Sequence, residues 1–539
     1  MINSYCNNFR GDFMEKSTEF IIITDAHYYS KKLGTDSASY REFNAKSQKL
    51  VALSSDVIKA SFEKIKNDEC KNVIFCGDST CDGDCDSHRE FVALLRELKQ
   101  SGKNIFAITS THDYQDNKIT YKYTGDKKEE IPAASREELR EMYREFGIDN
   151  AVSVFEMSFA VDIDNKIRLL GLNSDRNGKG RSGFSDEHLE WIKRNILEAK
   201  NEGKEVIAFT HHPLVSPSPF YSLIGKNDMM GEHREIREIL ADCGIELVFT
   251  GHSHIHDISY IFPQNKNVLY DISTSALAGY PAYLRRLTVS ETGYEISTKK
   301  AYDAEKYPDF DSVIENQFFG MIKTTVKAAK TDVPLLAECL NSMSVPRKFT
   351  YRFGWLIKPV MKLIDKITFG TVYRWTKKEN GLKKEDIAEI KDRKAVDFII
   401  DLVMHLYSGN APYNPDTPEY KIAMSLLGVI DSVLSAFHLP LSKFLKDFDS
   451  VSSLIEPLLY NSGIDDSDAV LPKKPTENEV EKLCSQKSSD IKKSRKGKFI
   501  AAVIVIALII LIPLLPVIAL LLGAGFLINR IKYSDELSE

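Results

Sequence analysis

Short apolar runs alternate with amphipathic stretches through the first half of the chain. Runs of β-branched and aromatic residues are typical of buried strands, whereas apolar residues spaced three and four apart are typical of helices packed on one face. The alternation predicts a layered α/β domain over residues 17–303. The predicted strands are residues 20–24, 72–76, 105–108, 167–172, 206–209, 248–250 and 268–272.

Five of these predicted strands end in aspartate or histidine. In layered α/β folds, functional sites form where loops leave the carboxyl ends of the strands. Core packing gives no reason for ligand-type residues at one strand end after another, so we expect these side chains to meet at a site. They are Asp25, His27, Asp78, His112, His211, His252 and His254.

The composition of this set indicates metal chemistry. A mixture of carboxylate oxygens and imidazole nitrogens suits borderline divalent ions such as Mn, Fe or Zn. There are more candidate ligands than one tetrahedral site uses, and two adjacent ions are the economical solution. A two-metal site clamps the attacking and leaving oxygens of a phosphoryl group and lowers the pKa of a water.

Five short motifs carry a family resemblance. They are Asp25-Ala26-His27, Gly77-Asp78, Ser110-Thr111-His112-Asp113, His211-His212-Pro213 and Gly251-His252-Ser253-His254. In this order they resemble the calcineurin-like metallophosphoesterases, whose pattern is D-x-H, G-D-x, G-N-H-D/E, H and G-H-x-H. The resemblance covers residues 20–290, and the region after it resembles the C-terminal extension of a bacterial branch of that family.

The resemblance implies a β-sandwich flanked by helices. It also implies metal-dependent hydrolysis of a phosphate mono- or diester by a hydroxide that bridges two divalent ions. The substrate itself stays open, as do the choice between monoester and diester and the identity of the metals. By motif, the ligands are Asp25, His27 and His254 for one ion, His211 and His252 for the other, and Asp78 between them.

The resemblance also assigns roles beside the metals. His112 would protonate the leaving oxygen or hydrogen-bond the phosphate, and Asp113 would orient His112. One position departs from the family pattern, because Thr111 stands where the family has an asparagine ligand of the second metal. A hydroxyl is a weaker neutral donor than an amide carbonyl. The alternative is therefore a non-catalytic metal-binding or interaction protein with a degenerate site.

The second half of the chain changes character. Residues 304–470 show helical periodicity broken by Pro, Gly and Asn, and residues 471–497 are polar and basic, as in a flexible linker. Residues 498–529 are almost entirely apolar, longer than the ~20 residues that a helix needs to cross a bilayer. They predict a C-terminal transmembrane anchor with a short tail, 530–539. Two prolines within the span leave a kinked helix or a re-entrant hairpin open.

Bulk composition limits the remaining possibilities. The chain has 539 residues, a formal net charge of −6 and eight cysteines. The charge gives no reason to expect a nucleic-acid polymer as partner, and the cysteines are too few for a disulfide framework. The first 16 residues show no apolar core of a signal peptide. Lysines and arginines before the apolar segment place the catalytic domain on the cytoplasmic face of the cell membrane. The sequence does not indicate an oligomeric state.

Overall fold

Two β-sheets packed face to face form the centre of the molecule. The computed structural model describes residues 17–475 except 46, 48, 176–181, 218–227, 263–266, 342–346, 410, 437–449, 462 and 474. One sheet has the strand order β15-β14-β13-β1-β2-β3 and the other β11-β12-β10-β9-β8-β7-β6. The strands are β1 Thr18–Ile23, β2 Asn72–Phe75, β3 Asn104–Ala107, β4 Ile119–Thr124, β5 Lys127–Pro132, β6 Ser153–Phe155, β7 Ser158–Asp162, β8 Ile167–Leu172, β9 Glu205–Thr210, β10 Leu247–Thr250, β11 Asp257–Ile261, β12 Leu269–Ser273, β13 Tyr283–Val289, β14 Gly293–Lys300 and β15 Ala469–Pro472.

Helices cover the outer faces of both sheets and make up most of the described second half of the chain. Those of the first half are α1 Ala38–Ala45, α2 Ser54–Asn67, α3 Cys85–Gln100, α4 Arg136–Tyr143, α5 Asp186–Asn201 and α6 His233–Cys243. Those of the second half are α7 Asp309–Thr331, α8 Val333–Asn341, α9 Arg347–Ile364, α10 Phe369–Trp375, α11 Ala395–Ser408, α12 Pro418–Ala436 and α13 Val451–Leu459.

Alternate residues of each strand pack into two different cores. On β1, Phe20 and Ile22 point between the sheets, where they join residues such as Phe249 of β10. Ile21 and Ile23 point the other way and pack with α2 and α3. A third core packs α5 and α6 on the second sheet. Since successive side chains of a strand face opposite sides, strands buried on both faces read as continuous apolar runs. The predicted α/β sandwich is confirmed.

Parallel pairing brings the predicted site residues to one edge. β1, β2 and β3 are parallel neighbours, and so are β9 and β10 in the other sheet. Their carboxyl ends lead directly into the loops that carry Asp25, Asp78, His112, His211 and His252. The amide of Asp25 donates to the carbonyl of Gly77, and the amide of Gly251 donates to the carbonyl of His211. These bonds fix the loops beside one another.

A two-stranded hairpin forms in a polar segment whose sequence shows no strand pattern. Residues 114–132 contain the antiparallel hairpin of β4 and β5, with Lys122 paired to Glu129 across it. Exposed lysines and glutamates hide the alternation that is typical of strands. The apolar side is short, and its buried Tyr123 stacks on Phe43 of α1 at a centroid distance of 5.1 Å.

The C-terminal region joins the first sheet, which corrects one expectation. β14 is an interior strand because β15 pairs outside it, from Gly293↔Pro472 to Ile296↔Ala469. The linker predicted for 471–497 therefore cannot begin at 471, since Leu471 is fully buried in β15. Four residues are too short a run to reveal a strand in sequence.

The side chain of Arg285 holds the C-terminal segment before β15 against the sheets. Its guanidinium is fully buried and donates to the carbonyls of Asp466 (2.8 Å), Ser273 (2.9 Å) and Asp257 (3.3 Å). Burial lowers the pKa of Arg285 to about 10, although nearby aspartates favour its charge. One side chain of β13 thus ties β11, β12 and the segment before β15 together.

Replacing Arg285 with methionine should lower the free energy of unfolding by about 3 kcal/mol, because each buried acceptor left without a donor costs about 1–3 kcal/mol. Chemical denaturation followed by circular dichroism measures this. The matched control is Arg286→Met on the same strand, where the half-buried guanidinium pairs with Glu19 and Asp68. Equal losses in both variants would contradict the role given to Arg285.

Helices α7 to α13 pack on one another and against the sandwich. Tyr280 stacks on Phe318 of α7 at 5.3 Å, and the amide of His256 donates to the carbonyl of Tyr407 in α11 at 3.2 Å. Among the described helices, none combines the length and the apolar character needed to cross a membrane. The predicted anchor 498–529, the tail 530–539 and most of the linker lie outside the described residues.

Candidate metal centre

The first group of candidate ligands is Asp25, His27 and His254. All three are buried, and one ligand atom of each lies within 4.8 Å of the others. The Nε2 atoms of the two histidines are 3.0 Å apart, and they lie 3.4 Å (His27) and 3.2 Å (His254) from Oδ1 of Asp25. Three donor atoms from β1 and β10 loops therefore converge on one point.

The second group is Asp78, His211 and His252. Nε2 of His211 lies 3.1 Å from Oδ2 of Asp78 and 3.2 Å from Nδ1 of His252. It is also 3.9 Å from Oδ1 of Asp25, so the two groups adjoin. The six ligands predicted from sequence thus fall into two neighbouring sets of three. Asp78 groups with the second set, and its bridging role stays a prediction.

The protonation pattern around His211 favours a cation between its ring and Asp78. Nδ1 of His211 lies 2.9 Å from the carbonyl of Cys76, an acceptor, so Nδ1 carries a proton and Nε2 is the ring atom that faces Oδ2 of Asp78. A positive charge is favoured at this contact, where Nε2 and Oδ2 are 3.1 Å apart. Burial alone would lower the pKa of His211, but Asp78 and Asp25 outweigh it and raise that pKa to about 9.

Unpartnered buried atoms point to the same conclusion. Oδ1 of Asp25, Oδ2 of Asp78 and Nδ1 of His27 are buried and have no hydrogen-bond partner. A buried polar atom without a partner is costly, and a ligand is one explanation for it. Burial would raise the pKa of both carboxyls, yet the neighbouring histidine rings hold both well below the usual range. The donor set fits divalent metal ions.

Backbone strain is concentrated on the same residues. Nine residues other than glycine have positive φ in the described part of the chain, and five of them are predicted ligands, with φ between +41° and +63°. Left-handed backbone is unfavourable for residues with a Cβ and persists where the surroundings enforce it, often at functional sites. The five are Asp25, His27, Asp78, His252 and His254.

Gly251 allows the G-H-x-H loop to lie directly against Thr24 and Asp25. Oδ2 of Asp25 accepts from Thr24 Oγ1 at 2.7 Å and from the amide of His252 at 3.0 Å. These bonds aim the other oxygen, Oδ1, at the histidines. A Cβ at Gly251 would overlap both Oδ2 of Asp25 and Oγ1 of Thr24. The glycine of G-H-x-H is therefore required by space rather than by a left-handed turn.

His112 lies beside the first group. Its amide donates to Oδ1 of Asp78 at 3.1 Å, its ring contacts that of His27 at 5.3 Å, and its Nδ1 lies 3.0 Å from the carbonyl of Cys81. That carbonyl is an acceptor, so Nδ1 carries the proton and Nε2 is free to accept. Burial, followed by the charge of Lys49, lowers the pKa of His112 to about 3.

Asp113 positions the turn rather than the ring. Its carboxylate accepts from the amides of Ser110 (2.8 Å) and Thr80 (2.9 Å), and no hydrogen bond joins it to the ring of His112 in the described structure. The sequence assigns the orienting contact to Asp113, but the carbonyl of Cys81 provides it. Burial and then the charge of Asp78 raise the pKa of Asp113 to about 7.

The remaining histidines near the site lie outside both groups. His88 bonds the carbonyl of Asp113 at 2.8 Å and the hydroxyl of Tyr143 at 2.9 Å. His212 contacts Ser174 Oγ at 3.1 Å, and its ring packs on that of His252 at 4.4 Å. These contacts support the loops that hold the ligands.

Lys49 is a site residue that sequence reasoning does not find. Its Nζ lies 3.2 Å from Nδ1 and 3.1 Å from Nε2 of His112. It precedes α2 on a segment that bridges to Gly279, far from every motif. A lysine ahead of an amphipathic helix has no distinguishing sequence signal, so only the folded structure shows that it reaches the site.

Thr111 lies half-buried in the turn between β3 and Asp113, next to His112. The turn is closed by a bond from the amide of Asp113 to the carbonyl of Ser110. The amide of the next residue, His112, donates to Oδ1 of Asp78 at 3.1 Å and ties this turn to the second ligand group. The shorter hydroxyl side chain is the difference from the family that the sequence predicts to weaken the second metal site.

Two adjoining sets of carboxylate and histidine ligands at one edge of a β-sandwich are the arrangement of a two-metal hydrolase. Residues 18–256 match the family model of calcineurin-like phosphoesterases. For this part of the chain, the resemblance expected from the motifs is confirmed.

A curated relative supports the domain assignment. The "Probable glycerophosphodiester phosphodiesterase GpdQ" of Arcobacter nitrofigilis is 30% identical over 171 residues, which are 32% of this chain. The chain spans about half the length of this relative, 50%.

Two solved structures are also similar to this chain. A dimetal phosphatase from Danio rerio has a TM-score of 0.38 at 13% identity, covering 53% of this chain and 97% of that one. The purple acid phosphatase PPD1 of yellow lupin, Lupinus luteus, has a TM-score of 0.36 at 12% identity, and the match covers 53% of this chain and 52% of that one.

Proposed function

We propose that this chain hydrolyses a phosphate mono- or diester with two divalent metal ions, of Mn, Fe or Zn. The observation that carries the proposal is the pair of adjoining buried ligand groups, in which Oδ1 of Asp25 and Oδ2 of Asp78 have no hydrogen-bond donor. Asp25, His27 and His254 would hold one ion, and His211 and His252 the other, with Asp78 between them. Such ions neutralise phosphoryl charge and lower the pKa of an attacking water.

The chain's own residues then handle the substrate. Lys49 places an ammonium against the His112 ring, so the pair can hydrogen-bond a phosphoryl or leaving oxygen. Because Nδ1 of His112 is committed to the Cys81 carbonyl, Nε2 is the ring atom available to face the leaving oxygen. Nζ of Lys49 lies 3.1 Å from that nitrogen and so adds a donor at the same place. Asp113 holds the turn that carries His112.

The proposal is tested with the full chain in detergent. After chelation and return of Mn, we expect turnover of an aryl phosphate monoester or its matching diester, falling about a hundredfold in His112→Ala. Metal content is measured alongside by mass spectrometry. A folded chain that binds no divalent metal would overturn the proposal.

A degenerate, non-catalytic site is the second candidate function, and the observation behind it is Thr111. The variant Thr111→Asn distinguishes the two. If the wild-type chain binds metal without turnover and Thr111→Asn gains both the second ion and turnover, the degenerate site is correct. Comparable turnover of both proteins excludes it.

Lys49→Met should lower kcat/KM by about tenfold to a hundredfold, the effect of losing one charge-assisted hydrogen bond. The loss should be larger for the monoester than for the diester, because the monoester carries the additional negative charge. Steady-state kinetics on both substrates measures the ratio. Lys59→Met, at an exposed position of α2, is the control. Equal losses on both substrates would contradict a phosphate-binding role.

We propose further that residues 498–529 anchor the chain in the cell membrane, with the domain of residues 17–303 on the cytoplasmic side. Support comes from the apolar segment 499–528, which has no charged residue, and from the five lysines and arginines at 492–498. Residues 304–470 would form the helical region between domain and anchor. Protease added outside intact cells should leave the catalytic domain uncut, and cleavage would refute this orientation.

A further inference from the structure

The helical region contains an apolar cavity that the phosphoesterase chemistry does not use. Its volume is ≈ 290 Å³, and all twenty of its lining residues among those described are apolar. They come from the end of α9 and from α10, α11, α12 and α13. Ligand pockets of proteins begin at about this size, and polar groups in them fix a ligand's orientation. A wholly apolar wall suits a hydrocarbon chain.

The cavity opens to solvent past two large apolar side chains. Trp375 and Ile399 line it and are 45% and 41% exposed. Trp at such a place is typical of a boundary between apolar and aqueous surroundings. The mouth of the cavity is thus apolar and accessible, as an entering chain requires.

Basic side chains lie next to Trp375 on one side of this mouth. Arg374, Lys377 and Lys378 flank Trp375 and are exposed. The surrounding residues 347–394 contain fourteen Lys and Arg against six Asp and Glu, although the whole chain has a net charge of −6. An apolar cavity with a cationic rim is complementary to an amphiphile with one hydrocarbon chain and an anionic head.

We propose that the helical region binds one acyl chain of an anionic lipid in this cavity. The acyl chain enters between α10 and α11, and the acidic head pairs with Arg374, Lys377 and Lys378. This site is separate from the metal centre and does not depend on the reaction proposed for it.

Fluorescence quenching in the full chain tests the proposal. The chain has three tryptophans, so Trp191→Phe with Trp355→Phe leaves Trp375 as the single reporter. The protein is kept in a steroid detergent without acyl chains and titrated with dibrominated stearate. We expect quenching that saturates at one probe per chain, and weaker binding of the alcohol with the same brominated chain, because it lacks the negative head.

Two variants locate the binding. Ala423→Phe fills the cavity and should weaken binding by at least about tenfold, the effect of losing roughly two buried methylene groups. The matched control Ala388→Phe, at an exposed position, should bind as the parent does. Ile399→Glu places a negative charge at the exposed mouth, where folding tolerates it, and should also weaken binding.

Several outcomes would overturn the proposal. Quenching that rises without saturation indicates unspecific adsorption. Equal binding by Ala423→Phe and Ala388→Phe places the probe elsewhere. Absence of quenching in the full chain means that the cavity takes no free acyl chain, as when the chain's own apolar segment 499–528 fills it.

Discussion

Replacing Asp78 with asparagine is expected to lower turnover on the order of a thousandfold and to reduce the metal content of the chain. Metal ions at a phosphoryl site contribute several kcal/mol of transition-state stabilisation, which corresponds to such a factor. Oδ2 of Asp78 faces Nε2 of His211 at 3.1 Å, and Oδ1 accepts from the amide of His112. Asparagine keeps the shape and removes the charge that holds a cation there.

The measurement combines kcat/KM with metal content by mass spectrometry. The control Asp86→Asn removes a half-exposed carboxylate of the same loop-to-helix segment, which pairs with Arg89. It should retain both activity and metal. If Asp78→Asn binds as much metal as the wild-type chain, Asp78 is not a ligand and the assignment of the second group fails.

A Gly251→Ala variant is expected to lose the metal ion held by the Asp25 group and to keep the metal ion held by the Asp78 group. The added Cβ overlaps Oδ2 of Asp25 and Oγ1 of Thr24, which are bonded to each other and have short side chains with little room to move. Oδ1 then no longer converges with His27 and His254. Overpacking of this kind costs about 1–3 kcal/mol of folding free energy.

Metal titration by calorimetry should show one binding step fewer, and thermal unfolding in chelator should show the loss of stability without metal. Gly320→Ala is the matched control, since nothing lies within 4 Å of a Cβ at that helical position. It should be as stable as the parent or more so. Two unchanged binding steps in Gly251→Ala would reject the spatial requirement.

The strand ends could be predicted from sequence because the signal is local. A continuous apolar run followed by Asp or His identifies both a buried strand and its site residue, and parallel pairing then brings such ends together. Asp25 and His254, more than two hundred residues apart, meet for this reason. The family resemblance carried by the motifs predicted a division of these side chains between two ions, and the same side chains form two clusters in the structure.

Other features could not be predicted because they depend on long-range contacts. Lys49 reaches His112 only through the position of α2 on the first sheet. β15 is four residues long and becomes a strand only because β14 offers an unpaired edge. The carbonyl that orients His112 belongs to Cys81, and backbone groups leave no trace in a residue pattern.

The place of β15 has a mechanical consequence. If the chain beyond Pro472 is held by an anchor, any pulling force enters the domain through this edge strand. Pro472 pairs with Gly293, and the amide of Lys473 donates to the carbonyl of Thr292. A pull away from the sheet therefore breaks the ladder one bond at a time from that end. The next contact that opposes the pulling force is the hydrogen bond from Arg285 to the carbonyl of Asp466. The hydrogen bonds at the sheet edge would therefore break before the force reached the metal ligands.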